Sequence, residues 1–196
     1  SDRLVSVNLM VSLLDPLTIR KMHLKNRIVM PPMASELATR SGEVTEALVA
    51  HYKIRCRSVG LVIVEHSYVN PTGKRSERQL GIHSDNLVAG LSGLVEAVHE
   101  EGTSIAIQIN HAGRRTNSRV CGAQPVAPSP IPDSESRETP RELTIDEIKS
   151  IVKDFGFAAS RAAKAGFDAL DIHGAHGFLL GQFCSPLTNR RDDRYG

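Results

Sequence analysis

The sequence predicts an α/β fold assembled from βα repeats, and three observations carry that expectation. An amphipathic helix runs into a glycine and then into an apolar, β-branched strand three times over. The strands are continuously apolar, as strands covered on both faces of a parallel sheet are. No GxGxxG follows the first strand, which weighs against a dinucleotide-binding doubly wound domain and favours a barrel-type repeat.

The elements follow in order. RIVM at 27–30 is the opening strand. A helix is expected over 46–59, stopping at Gly60 ahead of the strand LVIV at 61–64. The second helix begins near Asp85 and sets Leu87, Leu91, Leu94, Val95 and Val98 on one face; Gly102 ends it and SIAIQI follows at 104–109. The third opens on a capping box, Thr144 with Glu147. It carries Ile145, Ile148, Val152, Phe155, Ala159 and Ala162 at helical spacing, and Gly166 closes it before ALDI at 169–172. Glycine suits such stops because the residue after a helix commonly takes a positive φ. A fourth helix starts near Gly177. Between the third strand and third helix, segment 114–143 is rich in Pro, Ser and charge, the composition of a lid, a binding loop or a mobile surface loop.

Bulk properties narrow the function. With 196 residues the chain holds one domain with a real core. Lys and Arg number 24 against 22 Asp and Glu, so no long-range field draws nucleic acid or an anionic membrane, and a small-molecule partner is expected. Cys56, Cys121 and Cys184 share no CxxC spacing and cannot pair completely, which fits a reducing, cytoplasmic setting. The apolar run 4–14 is broken by Ser6, Asn8 and Ser12; it makes a poor signal peptide and is too short to span a bilayer. Residues 1–13 are accordingly expected to be an N-terminal extension, with the domain over 14–196.

In a parallel βα protein, ligands bind beyond the carboxyl ends of the strands. The residues there are PPMASE (31–36), EHSYVNPTG (65–73), NHAGRR (110–115) and HGAHGF (173–178). LKNRIVMPPM, IQINHAGR and AGFDALDIHGAHGFLLGQFCSPLTNRRDDRYG together resemble the old yellow enzyme family of flavin mononucleotide (FMN) oxidoreductases, especially its bacterial ene-reductase and 2,4-dienoyl-CoA-reductase-like branch. The likeness runs from about Leu14 to Gly196.

That resemblance implies a (βα)8 TIM barrel, a fold of about 250 residues, of which this chain covers the first four βα units as an N-terminal half. It further implies FMN at the barrel mouth, NADH or NADPH as reductant and an α,β-unsaturated carbonyl substrate; a homo-oligomer is expected from the open sheet edges. The turn Pro31, Pro32, Met33 and Ala34 is expected along the flavin, His66 beside its ring system and Gln108 on its pyrimidine edge. One amide offers that edge both a donor and an acceptor, although a polar residue plugging a barrel interior has the same pattern. His173 and His176 match the family's pair that binds the substrate carbonyl oxygen, where two N–H donors stabilise developing enolate-like charge; packing at a strand end is the alternative. The second half of such a barrel is expected to add an arginine facing the flavin and the site that grips its phosphate.

Three positions depart from the family pattern. Phe178 stands where many relatives carry the tyrosine that protonates the α-carbon, a contribution typically worth about 10²–10⁴-fold. Ala34 replaces a flavin-tuning cysteine or a small hydroxyl residue. Glu36 replaces a substrate-binding tyrosine and either favours a basic substrate or is a solvated rim residue.

Two other functions compete. A half-barrel with open sheet edges invites self-association without catalysis. His111, His173 and His176 would make a divalent-metal hydrolase site, since three imidazoles with one open position activate water. The run Arg190, Arg191, Asp192, Asp193 and Arg194 reads as a phosphate contact or as a solvated ion-pair loop.

Overall fold

The computed structural model describes residues 11–196, so the expected N-terminal extension lies almost wholly outside the described residues. The described chain opens on a hairpin that the βα pattern does not foresee, β1 (Leu17–Ile19) pairing antiparallel with β2 (Met22–Leu24). Strand β3 (Val29–Met30) is shorter than the expected 27–30. Helix α1 (Glu46–Cys56) starts where Thr45 accepts the N–H of Leu48, and its cap is Arg57, so it falls short of the expected end at 59. Gly60 is therefore no helix cap and does not take the left-handed conformation. Its role is close approach: a Cβ there would collide with the Asn26 carbonyl.

Strand β4 (Leu61–Tyr68) follows, then a 3-10 turn over Asp85–Leu87 that leads into α2 (Val88–His99). Gly102 does carry the positive φ of a helix stop, 67°, before β5 (Ser104–Asn110). Helix α4 (Ile145–Ala165) has the expected capping box and stops at Gly166 with φ 93°. It feeds β8 (Ala169–Ile172), and α5 (Leu179–Phe183) begins two residues past Gly177.

Segment 114–143 is packed rather than a mobile surface loop. It contains α3 (Ser118–Cys121), β6 (Val126–Ala127) and β7 (Arg141–Glu142), the last two paired in parallel. Residues 125–129 are buried. Arg191 locks them down, its guanidinium donating to the carbonyls of Pro128 and Leu143 at 3.0 and 2.7 Å while pairing with Asp193 and Glu142. The arginine-rich run is thus an ion-pair loop, but Arg191 is only 5% exposed and not solvated.

The main sheet has the order β3-β4-β5-β8 and is parallel throughout. Leu91, Leu94 and Val98 of α2 pack with Val62, Val64, Ile105 and Ile107 in one buried cluster. Each such side chain contributes roughly 1.5–3 kcal/mol of hydrophobic stabilisation. The sheet stays open at β3 and β8 among the described residues. Beside β8, Val152 was expected to face the core, yet it is 63% exposed on an apolar groove shared with Ile151, Phe155, Ile172 and Phe183. Among the described residues no helix is long and apolar enough to cross a membrane.

Candidate active site

The register decides what meets at the carboxyl ends. Gln108 of β5 stands opposite Asp171 of β8, and a β-bulge between Val64 and Ser67 re-aims β4 where it carries Glu65 and His66. Beyond these ends opens a cleft of about 510 Å³. Pro32, Ala34, Glu36, His66, Gln108, His173, His176 and Phe178 line it, joined by Arg75, Ser76, Arg115 and Glu135. Most of the strand-end residues singled out from the sequence therefore converge on one cleft. Pro31 and Met33 are not part of the lining, and Met33 is 63% exposed. Pro32 and Ala34 line it from the turn after β3, and Glu36 takes a left-handed φ of 56° as that turn reaches the rim.

His66 is oriented by Gln79. The Gln79 amide nitrogen lies 2.7 Å from Nδ1, and the Gln79 oxygen accepts the Arg75 N–H at 2.6 Å, so the amide cannot flip. Nδ1 faces a donor that is shared with the His66 carbonyl at 2.9 Å and Asn110 Oδ1 at 3.0 Å, an arrangement that suits the tautomer with its proton on Nε2. Burial, then the neighbouring His173, pushes the His66 pKa down to about 4, so the ring is neutral at pH 7. Beneath it Glu65 accepts the Ser35 N–H at 3.1 Å and the Tyr52 hydroxyl at 3.3 Å, and burial raises its pKa.

Gln108 is 7% exposed and donates through Nε2 to Asp171 Oδ2 at 2.8 Å. A carboxylate only accepts, so the amide orientation is fixed and the Gln108 carbonyl oxygen is left without a protein donor among the described residues. The full donor-and-acceptor freedom expected of this amide is thus reduced, since Asp171 takes one of its two N–H groups.

His173 and His176 sit edge to face with ring centroids 5.2 Å apart. His173 is buried, packed on Phe178 at 4.7 Å, and its backbone N–H donates to Ile109 at 3.1 Å. Burial, then the charge of His176, lowers its pKa. His176 has φ 54° and is followed by Gly177 at 67°, a left-handed turn that presents its ring to the cleft. Such backbone in a non-glycine residue clusters at ligand sites. Arg115 pins this turn by donating to the His176 carbonyl at 2.6 Å. Neither imidazole has a hydrogen-bond partner for its ring nitrogens among the described residues.

His111 is separate from this pair. Its Nδ1 accepts the Gly113 N–H at 3.1 Å, which leaves Nε2–H for the Thr72 hydroxyl at 3.3 Å. It is fully buried, and burial lowers its pKa to about 4. The three imidazoles do not converge, and among the described residues no group of three or more His, Cys, Asp or Glu side chains is placed to hold a metal ion. Glu36 is tethered as well, accepting from the Ser76 hydroxyl at 2.5 Å and the Arg78 N–H at 3.3 Å.

Sequence reasoning missed Gln79, Asp171, Arg75, Arg115 and Glu135 as parts of this region. Arg115 lies within the strand-end motif NHAGRR and was findable on that ground; Glu135 lies in the long segment, with no local signal.

The fold and this cleft define a βα-barrel type of protein with its ligand site at the carboxyl ends of the strands. The chain matches the profile of the NADH:flavin oxidoreductase / NADH oxidase family over residues 12–196. It is 47% identical over 187 residues to an NADPH dehydrogenase of Clostridium acetobutylicum, covering 95% of this chain and 55% of that protein. It is 51% identical over 176 residues to an NADH oxidase of Thermoanaerobacter brockii, covering 88% of this chain and 27% of that protein. Among solved structures, the old yellow enzyme homologue of Zymomonas mobilis matches with a TM-score of 0.88 at 37% identity, over 95% of this chain and 55% of that one. Morphinone reductase in complex with tetrahydroNAD matches with a TM-score of 0.88 at 36% identity, over 95% and 56%. The chain belongs to the NADH:flavin oxidoreductase / NADH oxidase family and spans about half or less of the length of the curated relatives it matches. Membership brings the TIM barrel of those neighbours and implies FMN, with NAD(P)H as reductant.

The residues present fit a flavin ring. The Gln108 carbonyl oxygen offers an acceptor, neutral His66 offers an N–H, and Ala34 adds no bulk to the wall.

Proposed function

We propose that the full-length protein is an FMN-dependent oxidoreductase that uses NADH or NADPH to reduce the activated C=C of an α,β-unsaturated carbonyl compound. The observation that carries this reading is the pair His173 and His176, two imidazoles without protein partners on the cleft that holds Gln108 and His66. FMN, when bound, supplies the hydride chemistry. Pro32, Ala34, His66 and Gln108 would border and hold it, with Gln108 accepting a hydrogen bond through the oxygen that Asp171 leaves free.

His173 and His176 bind and polarise the substrate. An imidazole ring has at least one N–H to give, and two donors aimed at one carbonyl oxygen stabilise the negative charge that develops there. The depressed pKa of His173 keeps it neutral, so it acts as a donor rather than as a cation that would hold an anionic product. Phe178 excludes water and packs against His66 and His173 but carries no proton to deliver. The α-carbon proton therefore comes from solvent or from another group. Residues 14–196 would be the N-terminal half of the barrel, in a homo-oligomeric and cytoplasmic enzyme; the three free cysteines support that location.

The test is the visible spectrum and the NAD(P)H consumption of the purified full-length protein. A flavin spectrum with NAD(P)H oxidation that depends on cyclohex-2-en-1-one, and not on cyclohexanone, is expected. A colourless protein, or turnover indifferent to the C=C bond, would contradict the reading.

A further inference from the structure

We propose that Arg75 and Arg115 form a subsite for an anionic group, a carboxylate or a phosphate, on a molecule bound in the cleft, and that Glu135 fills it until that molecule arrives. The inference rests on the reading of the cleft as a carbonyl-reducing site. Glu135 offers one carboxylate oxygen to each guanidinium, Oε2 to Arg75 at 2.8 Å and Oε1 to Arg115 at 2.7 Å. Both arginines line the same cleft as His173 and His176. A carboxylate placed between two guanidiniums marks where an incoming oxyanion has matching donors, because planar N–H forks suit paired oxygens.

Arg115 is fixed independently of Glu135, whereas among the described residues the Arg75 guanidinium is held by Glu135 alone. Arg115 donates to the His176 carbonyl at 2.6 Å and its guanidinium lies 5.9 Å from the Phe178 ring centre. The anion subsite is thus tied to the turn that presents the carbonyl-binding histidine. The side chains of Arg75 and Arg115 are 34% and 23% exposed, whereas that of Glu135 is 58% exposed. Its backbone N–H donates to Asp133 Oδ1 at 3.0 Å, so the main chain stays anchored if the exposed side chain is displaced. An exposed ion pair contributes little, so displacing Glu135 costs little. Arg115 retains Asp133 at 3.8 Å when Glu135 leaves. Arg75 has no other acidic partner within ion-pair distance among the described residues, which makes it the arm that gains most from a ligand oxyanion.

The anionic group has two possible sources, an acidic substituent on the unsaturated substrate or the ribose phosphate that distinguishes NADPH from NADH. Calorimetric dissociation constants measured on the full-length holoenzyme separate them. The probes are cyclohex-2-en-1-one, 3-oxocyclohex-1-ene-1-carboxylate, NADH and NADPH. Glu135→Gln is expected to raise the preference for the more anionic member of one pair about three- to fivefold, the range an exposed ion pair commands. Arg75→Gln is expected to lower the same preference. A shift in the enone pair assigns the subsite to the substrate, and a shift in the nucleotide pair assigns it to the reductant. Ratios of the more anionic to the less anionic member that stay put in both pairs and both variants would overturn the proposal. Turnover of the neutral enone by the unsubstituted enzyme reports on the carbonyl-reducing reading independently of these ratios.

Discussion

His111 and His173 each follow the last residue of a parallel strand, β5 and β8, and one hydrogen-bond count separates them. Both His111 nitrogens are engaged, by the Gly113 N–H and the Thr72 hydroxyl, and Gly73 lies flat against the ring. His173 is also buried, yet its ring nitrogens, like those of His176, have no partner among the described residues. A buried polar group is normally satisfied by protein or water. Residue type and position are the same in the two places; what differs is whether the fold has already used the side chain. The engaged ring builds the wall, and the pair on the cleft keeps its ring nitrogens open to solvent, as the proposed substrate role requires.

The contrast breaks most sharply under substitution of the pair. In the full-length enzyme, His173→Ala combined with His176→Ala is expected to lower kcat/KM for enone reduction by about 10³-fold, while urea-measured stability changes by about 1 kcal/mol or less. Collapse of the fold in that variant would assign the pair to structure.

Acid titration probes the other side. His66 and His111 have pKa values of about 4 in the folded protein against 6.5 without the fold. Between those values the unfolded chain binds more protons, so the contribution of each group is complete above pH 6.5 and is lost as pH falls toward 4. The loss is on the order of 3 kcal/mol per group. Urea denaturation from pH 7 to pH 4 checks it, and a flat profile would contradict the burial argument.

Gly73→Ala sharpens the comparison from the packing side, because its Cβ would drive into the His111 ring. A loss of about 2 kcal/mol is expected, with kcat/KM of the folded enzyme nearly unchanged. The smallest effect is expected from Phe178→Tyr, which places an ionisable proton beside His173. A gain of about tenfold in turnover, with a larger solvent isotope effect in the parent enzyme, would identify proton delivery as the slow step.

Much of this was legible in the sequence. The βα alternation of β4, α2, β5, α4 and β8 follows from apolar runs and helical spacing, and the Thr144–Glu147 box sits where its residue types require. Gly102 and Gly166 behave as helix stops, but Gly60 does not. Composition cannot tell a glycine chosen for φ from one chosen for contact, and the neighbour of Gly60, Asn26, is remote in sequence. The hairpin at β1 and β2 was missed because three-residue strands show too little alternation to register. Segment 114–143 stayed open between a lid, a binding loop and a mobile surface loop because the burial of residues 125–129 depends on Arg191, which lies far along the chain. The cleft residues at strand ends were readable from position alone. Gln79, Asp171 and Glu135 were not, since each acts by orienting or masking a partner, and such pairing is fixed only by register and packing.

The most direct test of the central claim is anaerobic reoxidation of the NADPH-reduced, full-length enzyme by cyclohex-2-en-1-one, followed by flavin absorbance. If His173 and His176 hold the substrate carbonyl, the His173→Ala, His176→Ala enzyme is still reducible by NADPH but reoxidises at least about 10²-fold more slowly than the parent. Reoxidation at the parent rate would show that the unpartnered histidines do not carry the reaction.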